Sequence, residues 1–287
     1  MKIISLDGGG IRGALSMGAL RSVISVEPEW YRADLYAGVS TGALSACCLS
    51  LGMIPEEVLE LYRRHSDVIF KKRRWTFGFK PKFKVEGIDT VIQSTFGDML
   101  LSELPVPVLI GAYDGENDKL KFFHSSDPED GKLTVRHVLL ASTAAPTYFP
   151  AHKGRWVDGG VTGNNNPCMC ALAQAMSDHG WQILEHVEML SLGTGRVIKP
   201  VRPGKWGLAQ WAFKMLHVIL GSSQASETYK ADKILNREGH PAKLRRIQPT
   251  LETDIPLGDA DALEELVGIG IQAGIMSFIH GSETPDK

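Results

Sequence analysis

Three short apolar runs in this chain each stop at a glycine-rich turn, and that repetition restricts the fold more than any other feature. Residues Lys2 to Leu6 run into Gly8-Gly9-Gly10, Leu35 to Val39 into Ser40-Thr41-Gly42, and Val187 to Leu192 into Gly193-Thr194-Gly195. Continuous apolarity over so short a run, without strict alternation, marks strands covered on both faces. Helical spacing fills the stretches between: Ala14 to Val26, Ala43 to about Leu51, Glu56 to Arg64 after Pro55 in the first turn, Val135 to Ala141 stopped by Pro146, and Pro167 to Ser177. Beyond an irregular basic stretch, Val106 to Tyr113 and Leu120 to Phe123 read as strands, and Val187 to Leu192 is the last clear one. Strands alternating with helices predict an α/β fold with a mostly parallel sheet covered on both faces. From about Lys205 the remainder reads as mainly helical, and no linker sets it apart. One domain over 1–287 is expected, with its motifs in 2–195 and a mainly helical part in 196–287.

A chain of 287 residues, 43% of them hydrophobic and 22% charged, is long enough to bury a large core. Its formal net charge of -2 excludes a globally basic nucleic-acid binder, so no nucleic-acid polymer is expected as a partner. The N-terminus enters the first glycine loop directly, which leaves no room for the apolar core of a signal peptide. The best apolar run, Met215 to Leu220, is far short of a bilayer span and contains His217. A cytoplasmic protein is expected, peripheral at most to a membrane. Cys47 and Cys48, like Cys168 and Cys170, are spaced too tightly for a natural disulfide and lack further zinc ligands, so reduced, buried thiols are expected.

The first loop, Gly8-x-Gly10-x-x-Gly13, has the spacing of a dinucleotide-binding turn, with a pyrophosphate on the helix N-terminus. Such a site also needs an acidic residue at the end of the second strand to hold the ribose. Here that strand delivers Ser40, and Glu27, at the right distance in sequence, lies beside Pro28 near a helix end. A dinucleotide-binding oxidoreductase therefore stands as the weaker alternative.

The second motif, Gly38-x-Ser40-x-Gly42, fits a strand-to-helix turn that lifts a serine hydroxyl out of the sheet edge. Its plainer reading is a glycine turn whose serine caps the next helix. A nucleophilic serine needs a base and donors for the oxyanion it creates. Backbone N–H groups at Gly9 and Gly10, at a helix start, supply such donors without side chains in the way. None of the nine histidines sits in a glycine-flanked turn; His152 comes nearest, six residues before Asp158. The Asp158-Gly159-Gly160 turn offers a carboxylate in reach of Ser40, or an Asp that merely stabilises its own turn.

Taken in order, Asp7-Gly8-Gly9-Gly10-Ile11-Arg12-Gly13, Gly38-Val39-Ser40-Thr41-Gly42, Ala141 to Pro150, Asp158-Gly159-Gly160, Asn164-Asn165-Asn166-Pro167 and Ser191 to Gly195 resemble the patatin-like phospholipases. That resemblance covers roughly residues 2–195 and implies a three-layer α/β/α sandwich. It also implies hydrolysis of lipid acyl esters by a Ser–Asp dyad without histidine. Carried over, Ser40 is the nucleophile, Asp158 the base, and Gly9 and Gly10 the oxyanion hole. Arg12 matches a basic position that helps the oxyanion loop or meets the lipid phosphate, against a plain role as a solvated helix-start residue. A third asparagine before Pro167 departs from the family's pair. No metal and no cofactor are expected, since no carboxylate cluster has calcium-loop spacing.

The lipid would come from a membrane surface. Lys71 to Lys84 interleaves seven cations with Trp75, Phe77, Phe79 and Phe83, and reads as a docking flap or as a loop whose rings pack inward. Trp206 to Leu216 is an apolar helix that packs in the core, walls the acyl pocket, forms a lid or pairs two subunits into a homo-oligomer. Some bacterial relatives in this family are effectors switched on by cyclic nucleotides, although no residue here marks a nucleotide pocket. A dormant, membrane-binding member of the family is a further alternative.

Overall fold

The computed structural model describes residues 1–73, 80–198, 208–237 and 243–279, with backbone alone for 208–220. In chain order the elements are β1 (Lys2–Leu6), α1 (Gly13–Val26), β2 (Leu35–Val39), α2 (Thr41–Ser50), α3 (Pro55–Ile69), α4 (Val85–Phe96), β3 (Val108–Asp114), β4 (Lys119–His124), α5 (Val135–Ser142), β5 (Trp156–Asp158), α6 (Cys168–His179), β6 (Glu188–Leu192), α7 (Leu208–Leu235), β7 (Leu244–Ile247) and α8 (Leu263–Ile279). The sheet order is β4-β3-β2-β1-β6-β7. Strands β3, β2, β1, β6 and β7 run parallel, and β4 closes one edge antiparallel to β3. Side chains of α1 to α5 and α8 build the larger core on one face, while α6 and α7 cover the other around Cys168, Leu172 and Leu235. The architecture is the expected three-layer sandwich with a mostly parallel sheet.

The full burial of β2 explains why its sequence shows no alternation. Two elements depart from the sequence reading. Strand β7 carries Arg245-Arg246 at its centre, which hides it from an apolar count, and each arginine has an acidic partner: Glu27 and Asp7. Helix α4 lies in the passage before Val106 that has no element in the sequence reading, because Ile88, Thr90, Val91, Ile92 and Thr95 are β-branched. A further correction concerns apolar length. Ala260–Ile279 is long and apolar enough to cross a membrane by length and composition. Here its Leu263, Leu266 and Val267 are buried in the larger core, and Ser22 of α1 donates to the Ile271 carbonyl at 3.0 Å.

One detail of register positions the site. Strand β2 pairs with β3 only as far as Val39 opposite Gly111, and β5 takes over on the next residue, Asp158 opposite Ala112, running antiparallel. The ends of β2 and β5 therefore meet head to head along β3. Ser40 leaves one and Asp158 ends the other, although 118 positions separate them by number (158 − 40).

Candidate active site

Ser40 sits in a backbone conformation that side-chain-bearing residues rarely adopt, φ 56 and ψ -124. Such a turn stores on the order of 1–3 kcal/mol and persists only where its surroundings enforce it. A Cβ at Gly38 would strike the Gly42 carbonyl, and one at Gly42 would strike the Leu6 carbonyl, so both flanking positions need glycine. The Ser40 N–H donates to Ser142 Oγ at 2.9 Å, and that hydroxyl donates to the Gly111 carbonyl at 2.7 Å. Strand β3 and helix α5 thus grip the turn from behind. The Ser40 side chain makes no capping bond to α2, which disposes of the plainer reading of its motif.

Asp158 is 4% exposed, and its Oδ1 accepts the Gly160 N–H at 2.7 Å. The Ser40 hydroxyl lies beside the same carboxylate and favours its charged form. Burial pushes the Asp158 carboxyl up to about 6, with the Ser40 and Gly160 hydrogen bonds opposing the shift. The two sequence readings of Asp158 turn out to be compatible: one oxygen closes its own turn while the group faces Ser40.

Opposite them runs the Gly8 to Gly10 loop. Gly8 N–H donates to the Asn165 carbonyl at 3.2 Å, and the Gly8 carbonyl accepts from Thr194 Oγ1 at 2.9 Å and Asn165 Nδ2 at 3.0 Å. Ile11 N–H donates to the Leu257 carbonyl at 2.8 Å. Gly10 is left-handed at φ 57, and a Cβ there would collide with that same carbonyl. Between these anchors, the Gly9 and Gly10 N–H groups have no hydrogen-bond partner among the described residues. All four positions, Gly9, Gly10, Ser40 and Asp158, line one cavity of about 870 Å³. No histidine is among its described lining residues.

Residues 4–172 match the family model described as patatin-like phospholipase. This chain belongs to the patatin-like phospholipase family. It is 26% identical to "Patatin-like protein 2" of Arabidopsis thaliana over 81% of this chain and 62% of that one. It is also 26% identical to the "cGAMP-activated phospholipase" of Vibrio cholerae, over 100% of this chain and 94% of that protein. A third relative, "Intracellular phospholipase A2" of Caenorhabditis elegans, is 26% identical over 69% of this chain and 20% of the relative. The chain spans 62% to 66% of the length of four plant patatin-like proteins it matches, and 82% of "Patatin-like protein 4" of Arabidopsis thaliana.

In this patatin-family chain, the cavity wall is mixed. Leu44 of α2, Ile69 and Phe70 at the end of α3, Ile88 of α4 and Phe149 give it an apolar side, while Gln224 and Thr228 of α7 and Gln248 give it a polar one. The Asn164-Asn165-Asn166 run divides its labour. Asn165 holds Gly8, and Asn166 accepts from Cys168 N at 3.1 Å and donates to Thr228 Oγ1 at 2.9 Å, joining α6 to α7.

Several residues here escaped the sequence reading. Arg246 grips Asp7 through two bonds of 2.8 and 2.5 Å and donates to Ser191 Oγ at 2.8 Å, directly behind the glycine loop. Burial works against the Arg246 charge, but the Asp7 carboxylate beside it more than offsets this and holds the guanidinium protonated. Thr194 and Ser142 lie within the motif blocks that carry the family resemblance, so a signal for them was present. Nothing in the sequence marks Arg246.

Arg12 lines the cavity but is already engaged. Its Nε donates to the Ile255 carbonyl at 2.7 Å and its Nη2 to Asp254 Oδ1 at 2.8 Å. Glu27 is taken too, accepting from Arg245 at 2.8 Å and from the Trp30 indole at 3.0 Å, which removes the acidic partner a dinucleotide needs. Of the basic and aromatic stretch, residues 74–79 lie outside the described residues. Phe83 is buried against Phe70, Tyr148 and Phe149, so at least this ring packs inward. Residues 206–207 and the side chains to 220 are likewise outside the description, and with them whether the Trp206 to Leu216 stretch packs in the core, walls the pocket, forms a lid or pairs subunits. Cys47, Cys48 and Cys168 are buried free thiols, and Cys170 is partly buried.

Proposed function

We propose that this chain hydrolyses acyl esters of membrane phospholipids through an acyl-enzyme on Ser40, with Asp158 as the base. The N–H groups of Gly9 and Gly10 receive the oxyanion. What carries the reading is the meeting of Ser40 with a buried carboxylate, at one end of a cavity that also exposes two unpartnered glycine amides. Family membership supports the same chemistry, and the relatives from Vibrio cholerae and Caenorhabditis elegans bear phospholipase names.

The steps follow from the geometry. Ionised Asp158 takes the Ser40 proton as Oγ bonds to the ester carbon, and the carbonyl electron pair moves onto its oxygen, toward the glycine amides. Collapse breaks the ester C–O bond, and the departing lysolipid oxygen takes the proton from Asp158. Water then attacks the acyl-enzyme, losing its proton to Asp158; as the acyl C–O bond to Ser40 breaks, Oγ takes that proton and a fatty acid leaves. Because the base must be ionised, activity should rise as pH passes upward through about 6.

We place the reaction at the cytoplasmic face of a membrane. The relative from Vibrio cholerae, aligned over this whole chain, is named for activation by cGAMP, and on that footing we extend the proposal to a cyclic-nucleotide activator. The test is fatty-acid release from phospholipid vesicles, with and without cGAMP, by wild type, Ser40→Ala and Asp158→Asn. Both variants should lose about 10²-fold or more. Release that persists in Ser40→Ala would refute the assignment, and a wild type inert under both conditions would favour the dormant membrane-binding alternative.

A further inference from the structure

The oxyanion loop is held at its far end by a part of the chain outside the family-matched residues 4–172. After β7, the segment 248–258 returns along the ends of the strands as a strap. Gly195 N–H donates to Gln248 Oε1 at 2.9 Å, Arg196 N–H to the Pro249 carbonyl at 2.9 Å, and Leu251 N–H to the Arg196 carbonyl at 2.8 Å. Its next stretch, Asp254 to Leu257, lies over the glycine loop. There the Leu257 carbonyl accepts from Ile11 and occupies the space that any side chain at Gly10 would need.

What fixes this stretch is Arg12. Its guanidinium donates from Nε and Nη2 to the Ile255 carbonyl, and from Nη2 to Asp254 as well. The Arg12 side chain is only 13% exposed, so the clasp is largely sheltered from water, whereas Asp254 is 53% exposed at the outer end. A planar fork bridging a carbonyl and a carboxylate holds geometry in a way a point charge does not. The Gly9 and Gly10 amides lie between two ties, Gly8 to Asn165 and Ile11 to Leu257. Only the second depends on the strap.

We propose that Arg12 is a positioning residue: it clasps Asp254–Leu257 over the oxyanion loop, keeping the Gly9 and Gly10 amides aimed into the cavity, and it does not serve as the ligand of the lipid phosphate. This rests on the acyl-transfer reading given above. It makes the segment after β7 part of the reaction machinery, since a misplacement of about 1 Å at a reacting centre costs on the order of 10²-fold in rate.

The test compares Arg12→Gln and Arg12→Lys with wild type on two esters, vesicles of dioleoylphosphatidylcholine and the phosphate-free p-nitrophenyl butyrate. Alongside runs the rate at which a fluorophosphonate modifies Ser40. Arg12→Gln should lower kcat by about 10²-fold on both esters, with KM within about twofold, and slow the modification equally. Arg12→Lys keeps the charge without the fork and should recover only part, remaining about tenfold down on both. If Arg12→Gln does not fold, the lysine variant decides alone. A defect confined to the phospholipid and seen in KM, with p-nitrophenyl butyrate and Ser40 modification at wild-type rates, would make Arg12 a phosphate ligand and overturn the proposal. Full activity in Arg12→Lys would overturn it too. Wild type that takes no label at Ser40 would instead defeat the acyl-transfer reading, and this proposal with it.

Discussion

The Ser40 turn and the oxyanion loop are both glycine turns at the ends of neighbouring parallel strands, yet they are held by different means. Mostly backbone encloses the Ser40 turn, from its own helix start and the end of β1 at Leu6, with the Ser142 hydroxyl of α5 linking it to β3. The Gly8 to Gly10 loop, the proposed oxyanion hole, is tied instead by side chains and a carbonyl from the distant segments Asn165, Thr194 and Leu257. A nucleophile has to be rigid before substrate arrives, and enclosure in the core supplies that. On the proposed reading, the loop that would receive the charge is set by segments outside the sheet's central strands. The difference predicts that damage to the first turn shows as lost stability and damage to the second as lost rate.

The sharpest way to break that contrast is a methyl group at each turn. Gly42→Ala drives a side chain into the Leu6 carbonyl, with packed backbone on both sides, and should destabilise by about 4 kcal/mol or more, or yield no folded protein, in denaturant unfolding. Arg246→Met comes next. It leaves Asp7 buried without its partner, at an expected cost of about 3–5 kcal/mol, part of which should return when Asp7→Asn is added.

Gly10→Ala is the counterpart of the first test. It meets the Leu257 carbonyl of the strap rather than a strand, and its left-handed φ alone costs about 1–2 kcal/mol, so stability should fall by less than for Gly42→Ala. Its kcat/KM should drop about a hundredfold. Equal destabilisation by Gly10→Ala and Gly42→Ala would erase the distinction. The last expected effect has the opposite sign. Burial raises the folded Asp158 carboxyl to about 6, so the folded state binds a proton more tightly than the unfolded one, and stability is lost as pH rises through that value. Asp158→Asn should therefore be more stable than wild type at pH 8, by on the order of 2 kcal/mol, with the gain gone near pH 4. Thermal melts at the two pH values decide it.

How much of this was legible beforehand follows the same division. β2 coincides with its predicted run, and β1, β6 and the turns that end them lie where the apolar stretches and glycines put them, because buried parallel strands write themselves as continuous apolar runs. Ser40 was legible for the same reason: a turn held by local glycines carries its signature in adjacent residues. Asp158 was legible as a glycine-flanked carboxylate, but its meeting with Ser40 depends on β5 continuing the line of β2 along β3, a register no local pattern encodes. Arg246 and the strap were illegible, since a charged pair at the centre of β7 makes sense only once Asp7 and Glu27 face it. Arg12 was visible as a residue, and its partners Asp254 and Ile255 were not.

The central claim is that the Asp158 carboxylate makes the Ser40 hydroxyl reactive, and the pH dependence of Ser40 phosphonylation by a fluorophosphonate measures it most directly. The account predicts labelling at Ser40 alone, with a rate that reaches half its maximum near pH 6. In Asp158→Asn the same label should attach about 10²–10⁴-fold more slowly and without that inflection. Labelling at wild-type speed in Asp158→Asn, or a wild-type rate flat from pH 4 to 8, would contradict it.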